Sequence, residues 1–216
     1  MVAEPGGATD RSARRRSAAV AGHTGDVVTA RSLLDDPDAD VRATALGALE
    51  RLGRVEPDDL GAALADDDPI VRRRAAEVLA AVEDPRFDGI ELGPLLADTD
   101  VTVIEVAAWA AGERLGRAAE AGRALPEEPL VAVLIALALD HEDALCREAA
   151  VAALGAIGDA RGLPAILAAT RDKATVRRRA VLALAPFDGP EVDAALARAR
   201  EDRDWQFRQA AEDLTD

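Results

Sequence analysis

The sequence predicts an all-α fold, a tandem array of about seven helical hairpins, and three observations carry that prediction. A signature of Asp, an apolar residue, Arg and a small residue returns about every 30 residues along the 216-residue chain. Short Ala- and Leu-rich runs stand between successive signatures, set off by turns that carry Gly and Pro. The apolar content is 49%, yet aromatic residues make up only 2% and Tyr is absent. A core of Ala, Leu and Val suits closely packed helices, since Ala and Leu are strong helix formers while aromatic and β-branched residues favour strands.

With the signature arginine as position zero, the copies fall at Arg14, Arg42, Arg72, Ile104, Arg147, Arg177 and Arg208, Ile104 standing once for Arg. The intervals are 28, 30, 32, 43, 30 and 31 residues, the self-similarity that marks a repeat architecture. Four residues earlier stand Asp10, Asp38, Asp68, Asp100, Asp143 and Asp204; the sixth copy has Lys173 there, with Asp172 one residue off. Position −1 holds Ala13, Val41, Val71, Val103, Cys146, Val176 or Phe207, and position +3 holds Ser17 or Ala.

Each position suits a helix. The residues at −1, +3, +6 and +7 share one face, and a small residue at +3 lets a neighbouring helix come close. The Asp at −4 is an expected N-cap, accepting backbone N–H bonds at the helix start; Pro69 directly after Asp68 strengthens that reading. The planar fork of Arg suits a carboxylate, so the −4 Asp and the Arg can pair within a helix or between successive repeats. The matching first helices are expected at 27–34, 59–65, 90–97, 129–139, 163–170 and 192–199. Residues 1–10 are expected to form a disordered tail and residues 11–216 a single domain, with an insertion near 116–128.

The repeat resembles the HEAT repeat, of the short kind often called phycobilisome-lyase HEAT-like, over about residues 11–216. The resemblance implies an α-α superhelix of HEAT/armadillo type whose second helices line the concave side. It also brings two enzyme precedents. Deoxyhypusine hydroxylases hold a di-iron centre with several His-Glu pairs placed as "RHEA"; here the stretch is "CREA", where Glu148 matches but Arg147 stands in place of His. The His141–Glu142 pair precedes that helix, His23 lies in a glycine-flanked turn, and two histidines cannot furnish four such pairs. Likeness to bilin lyases rests on the repeat unit and on no chemical signature. An accessory or catalytic protein of either class is the competing reading, which metal analysis of the purified protein would separate.

Composition narrows the partners. A net charge of −15 opposes nucleic acid, whose binding is driven by phosphate neutralisation, and anionic membranes. Lys173 is the only lysine among 26 basic residues. This Asp-rich, Lys-poor profile resembles that of proteins from halophilic archaea; codon bias in a GC-rich bacterium gives the same profile. No apolar run approaches the roughly 18 residues of a membrane span, and the first ten residues lack the apolar region of a secretory signal. The lone Cys146 excludes an internal disulfide and a cysteine-based zinc site. A cytoplasmic, monomeric protein without cofactor, metal or catalytic constellation is expected.

HEAT-like folds also occur in DNA glycosylases, and the arginine triplets 14–16, 72–74 and 177–179 invite the comparison. The triplets lie on separate helices and do not form one stripe, and aromatics to stack bases are scarce. Cys146 occupies a core position and reads as a buried hydrophobe. The leading candidate is Trp109, at position +5 of the fourth copy, where the other copies vary. Positions +1, +5 and +9 align, so Glu105, Trp109 and Glu113 should share a face, joined by Arg73 and Glu77 on one side and Glu148 on the other. An acidic groove with an aromatic anchor is one reading; a core filler among Ala107, Ala108, Ala110, Ala111 and Gly112 is the other. Trp205 is expected to cap the end of the core. The fourth copy also lacks its arginine and precedes the long interval, whose excess of about 13 residues is expected in a loop at the rim of a binding face. These observations point to a protein-interaction scaffold or adaptor, with a basic or mixed-charge partner.

Overall fold

The computed structural model describes residues 5–123 and 127–214, and every regular element among them is helical. In chain order these are α1 (Pro5–Thr24), α2 (Val27–Ser32), α3 (Ala39–Arg51), α4 (Pro57–Leu64), α5 (Pro69–Ala81), α6 (Val101–Glu120), α7 (Glu127–Asp140), α8 (Ala144–Ile157), α9 (Leu163–Ala169), α10 (Ala174–Ala183), α11 (Pro190–Arg200) and α12 (Trp205–Glu212). The chain packs as two compact units, Met1–Ile90 and Glu91–Asp216. In the first, α3 lies between α1 and α5, with α2 and α4 packed beside them. In the second, α8 lies between α6 and α10, α10 meets α12, and α7, α9 and α11 stand alongside.

The seven signature copies are the seven second helices α1, α3, α5, α6, α8, α10 and α12. Their −1 and +3 residues are buried from α3 onward, as Val41 with Ala45 and Cys146 with Ala150 illustrate. Ala13 and Ser17 of α1 are exposed instead. The face they would bury meets the preceding repeat, and no helix precedes α1 among the described residues. Asp38, Asp68, Asp100, Asp143 and Asp204 each cap their helix through the side chain.

Four expectations need correction. Asp10 is no cap, because α1 already begins at Pro5, within the expected tail; Asp10 pairs with Arg14 one turn on. The run 90–97 forms a 3₁₀ turn over Gly93–Ala97, since Gly93 and Pro94 hold it short of an α-helix. Much of the 116–128 insertion is helix, because "GRAAE" extends α6 to Glu120; residues 124–126 lie outside the described residues. Trp205 is 65% exposed at the first position of α12, and Phe207 fills the core there.

The arginines do bridge repeats, and Arg14, Arg42 and Arg147 do so to a carboxylate other than the −4 aspartate. Arg42 grips Asp66 of the following copy with Nε and Nη2, at 2.8 and 2.7 Å. Arg14 takes Asp36 in the same way, at 2.7 and 3.3 Å, and Arg147 takes Asp172 at 2.7 and 2.9 Å. The remaining Nη1 of Arg42 donates to the Asp36 carbonyl of its own copy at 2.8 Å. Asp36 and Asp66 stand at −6, and each accepts the N–H of the −4 aspartate at 2.9 Å. One rung therefore joins the fork of one repeat to the cap turn of the next. Arg177 is looser: it reaches Asp202 at 3.5 Å and Asp204 at 3.2 Å and lies 5.3 Å above the Phe207 ring.

Beyond the rungs, backbones approach through glycine. A Cβ built at Gly155 of α8 would stand 2.6 Å from the Ala183 Cβ of α10, and one at Gly112 of α6 would stand 2.9 Å from Ala153 Cα. Gly22 meets Ala48 at 2.9 Å in the first unit. All three contacts join position +8 to +6 of the next copy, where only a hydrogen fits.

Two outcomes follow. Burial alone would push the Asp66 carboxyl up, but the Arg42 fork and the Asp68 N–H outweigh it and hold the carboxyl below its ordinary value. The same balance lowers Asp36, and the Arg147 bond chiefly lowers Asp172. A depressed folded value gives stability that is complete above the unfolded value of about 4 and is lost as pH falls below it. Urea melts of Arg42→Ala should show a loss of about 2 kcal/mol at neutral pH and a shallower acid limb. The second outcome concerns Gly155→Ala. Intrinsic propensity would favour Ala by about 1 kcal/mol, but overpacking against Ala183 should reverse the sign, to a loss of about 1–3 kcal/mol, read by the same melts.

Candidate functional site

The +5 residue is at least partly exposed on α1, α5, α6, α8 and α10, while Gly47 on α3 is buried. On α6 the residues Glu105, Trp109 and Glu113 run along one stripe, with Trp109 46% exposed and Glu113 exposed. Ala107, Ala108, Ala110, Ala111 and Gly112 around it are themselves buried. Nearly half of the indole thus stands in solvent, over a floor of small buried residues. On α8, the next helix of the same layer, Glu148 and Ala152 hold the matching +1 and +5 positions, and on α10 Leu182 at +5 is 43% exposed. Arg179 of α10 lies 3.6 Å from Glu148. Trp109, Ala152 and Leu182 thus give the second unit an apolar line at one register position, edged with carboxylates.

Arg73 and Glu77 belong to the first unit, on α5. Glu77 accepts from Arg74 at 2.7 Å and lies 4.0 Å from Arg73. The six residues singled out in the sequence therefore divide, with Glu105, Trp109, Glu113 and Glu148 together on α6 and α8 and the other two on α5.

The sequence reading missed a basic cavity in the first unit. It holds about 530 Å³ between α1, α3 and α5 and is lined by Arg15, Arg16, His23, Arg51 and Arg74, with Ala19 and Gly47 among its small residues. Arginines of the first two triplets, in the first and third repeat copies, do converge: Arg15, Arg16 and Arg74 line one cavity, with Arg51 at +9 of the intervening copy between them. A lone arginine in "LERLG" gave no signal in the sequence.

The rung above α6 is broken on both sides. Ile104 replaces the arginine and is 4% exposed. The acceptor position of the next copy, −6 from Arg147, is His141 where Asp36, Asp66 and Asp202 stand elsewhere. His141 keeps the internal half of the aspartate's task, its Nδ1 accepting the Asp143 N–H at 3.1 Å. A carboxylate facing isoleucine would be desolvated without a partner, so the two changes belong together.

Cys146 is fully buried, its Sγ 3.6 Å from the Val101 carbonyl. Burial first, then the nearby carboxylates Asp143 and Glu105, push the thiol up to about 11, far from a reactive thiolate. Among the described residues no group of three or more His, Cys, Asp or Glu side chains is placed to hold a metal ion, and no helix is long and apolar enough to cross a membrane.

Comparison with known proteins agrees with this architecture. The family model for HEAT repeats matches residues 27–112, 91–185 and 131–214. Among solved structures, the Escherichia coli protein YibA is similar at 20% identity and a TM-score of 0.62, covering 84% of this chain and 67% of its own. A designed armadillo repeat protein in complex with the peptide (KR)4 is similar at 19% identity and a TM-score of 0.57, over 87% of this chain and 98% of its own. An engineered protein follows at 21% identity and a TM-score of 0.56, over 88% and 94%. No curated protein matches the sequence significantly.

The paired loss at the fourth rung makes a double-mutant cycle informative. Ile104→Arg alone buries a cation near His141, and His141→Asp alone leaves a carboxylate opposite isoleucine, so each should destabilise by about 1–3 kcal/mol. Together they rebuild the rung, and the double variant should be more stable than their sum by at least about 1 kcal/mol. Additive losses in thermal melts would show that the two positions do not face one another.

Proposed function

The chain belongs to the HEAT-repeat family, and we propose that it is a non-catalytic interaction scaffold of the cytoplasm that holds a basic protein segment on the α6–α8–α10 face. The observation that carries this reading is Trp109. It is a large aromatic side chain, nearly half exposed, at a position the repeat does not need for packing. Tryptophan is the residue most often found at the centre of a binding hot spot, where it supplies contact area at little cost in conformational entropy. Glu105, Glu113 and Glu148 surround it, and the chain as a whole carries −15, so a Lys- or Arg-bearing segment would be steered toward this face. The designed armadillo repeat protein of similar fold takes an alternating Lys-Arg peptide, which supports the same chemistry here. The buried, poorly acidic Cys146 supports a role without covalent catalysis.

In a Trp205→Phe background, Trp109 is the sole indole and reports on its own surroundings. Titration with a (KR)4 peptide should quench or shift its emission saturably, and Glu105→Gln with Glu113→Gln should weaken the binding. Trp109→Ala should reduce affinity by about 30-fold, the size of a hot-spot residue, with an unchanged melting temperature. Equal affinity of the parent and a folded Trp109→Ala variant would end this reading.

A further inference from the structure

We propose that the basic cavity between α1, α3 and α5 is a second binding site, which takes a short acidic protein segment. It goes beyond the reading of the α6 face and does not depend on it. The cavity brings four guanidinium groups and an imidazole together, Arg15, Arg16, Arg51, Arg74 and His23, and no carboxylate lines it. In a chain with 41 acidic and 26 Lys or Arg residues, such a convergence runs against the composition. Elsewhere in the first unit arginines are consumed by aspartates: Arg14 by Asp36, Arg31 by Asp59, Arg42 by Asp66. Arg15, Arg16 and Arg51 form no ion pair among the described residues, while Arg74 is steadied by Glu77 at 2.7 Å.

The groove is shaped as well as charged. Ala19 and Gly47 hold the +5 positions of α1 and α3, where α6 carries Trp109, so no long side chain from α1 or α3 fills the groove there, and the Arg74 side chain lies across Gly47. Gly22 has no side chain where the Arg51 guanidinium lies, and a Cβ there would stand 2.8 Å from Nη1. The fork is thereby laid across α1 toward the cavity.

The occupant follows from reach and field. Three packed helices about 10 Å apart span about 20 Å, the length of roughly six extended residues. Carboxylates on such a segment match the paired donors of arginine. A long polyanion would extend beyond the arginines and meet the acidic remainder of the surface. A short segment would not, since charges further than about 8 Å are screened at physiological salt. The scarcity of aromatics removes base stacking as a source of nucleic-acid affinity.

The test uses the full chain and a fluorescein-labelled alternating Asp-Glu hexapeptide in fluorescence anisotropy. The peptide should bind at low salt and weaken as salt rises. Arg15→Ala combined with Arg51→Ala should weaken it at least tenfold, because two of the three bare forks are removed. Gly47→Glu should abolish it with an unchanged melting temperature. A Cβ at that position makes ordinary contacts, 3.6 to 3.9 Å from the Arg74 side chain, and the new carboxylate would occupy the groove. Trp109→Ala should leave this binding unchanged, which separates its failure from failure of the α6 face. No binding at low salt, or binding insensitive to both groove variants, would overturn the proposal. Tighter binding of a hexathymidylate or of tripolyphosphate would overturn it equally, in favour of a nucleic-acid or free-phosphate site.

Discussion

The guanidinium shared between two repeats is the constraint on which the rest depends. Arg42 closes the cap turn of its own copy through the Asp36 carbonyl and grips the cap turn of the next through Asp66. Asp66 in turn accepts the N–H that opens α5. A surface ion pair contributes little because water screens it and two flexible side chains must be held. Here the side chains of Arg42 and Asp66 are only 18% and 15% exposed, the fork is bidentate, and each of the three guanidinium nitrogens donates to a turn already fixed by capping. The pair thus acts less as an energy source than as a register device. Losing one partner strands the other beside apolar helix faces, which is where its cost arises.

Such a device matters because Ala and Gly line the closest contacts between successive second helices. Ala against Ala and Gly against Ala allow helices to come close but offer few alternative shapes that would distinguish one register from another. The contacts of Gly112 with Ala153 and Gly155 with Ala183 show how far the approach goes. Dispersion between closely apposed backbones supplies attraction, while the rungs select which turn lies against which.

Much of this was legible in the sequence, and the parts that were not share a cause. The caps, the −1 and +3 core positions and the two-helix period each depend on a residue's own helix, so a local pattern reveals them. The acceptor at −6 was not recognised, because the −4 aspartate, already read as the cap, offers the same chemistry to an arginine. Arg51 gave no signal for the same kind of reason: its companions in the basic cavity come from other helices. The extension of α6 was read as a loop because an insertion was expected to interrupt the period, although "GRAAEAGRA" is rich in helix formers. Exposure of Trp109 was left open by the sequence, since its small neighbours fit either reading.

The fourth copy shows how the repeat separates structure from function. Had Ile104 arisen by drift alone, an aspartate would remain at the acceptor of the next copy, desolvated and unpaired. His141 stands there instead, and its Nδ1 accepts the Asp143 N–H. The rung has therefore been dismantled coherently, with its capping half retained. What replaces it is apolar: Ile104 is buried in the same helix whose opposite face bears Trp109. Positions that the copies share hold the stack together, whereas the residue at +5 differs from copy to copy. It is small beside unpaired arginines on α1 and α3, and aromatic beside carboxylates on α6. Two patches of opposite charge fit on one repeat plan because the register is held at −6, zero and +8, which leaves the residue type at +5 unconstrained by the rungs.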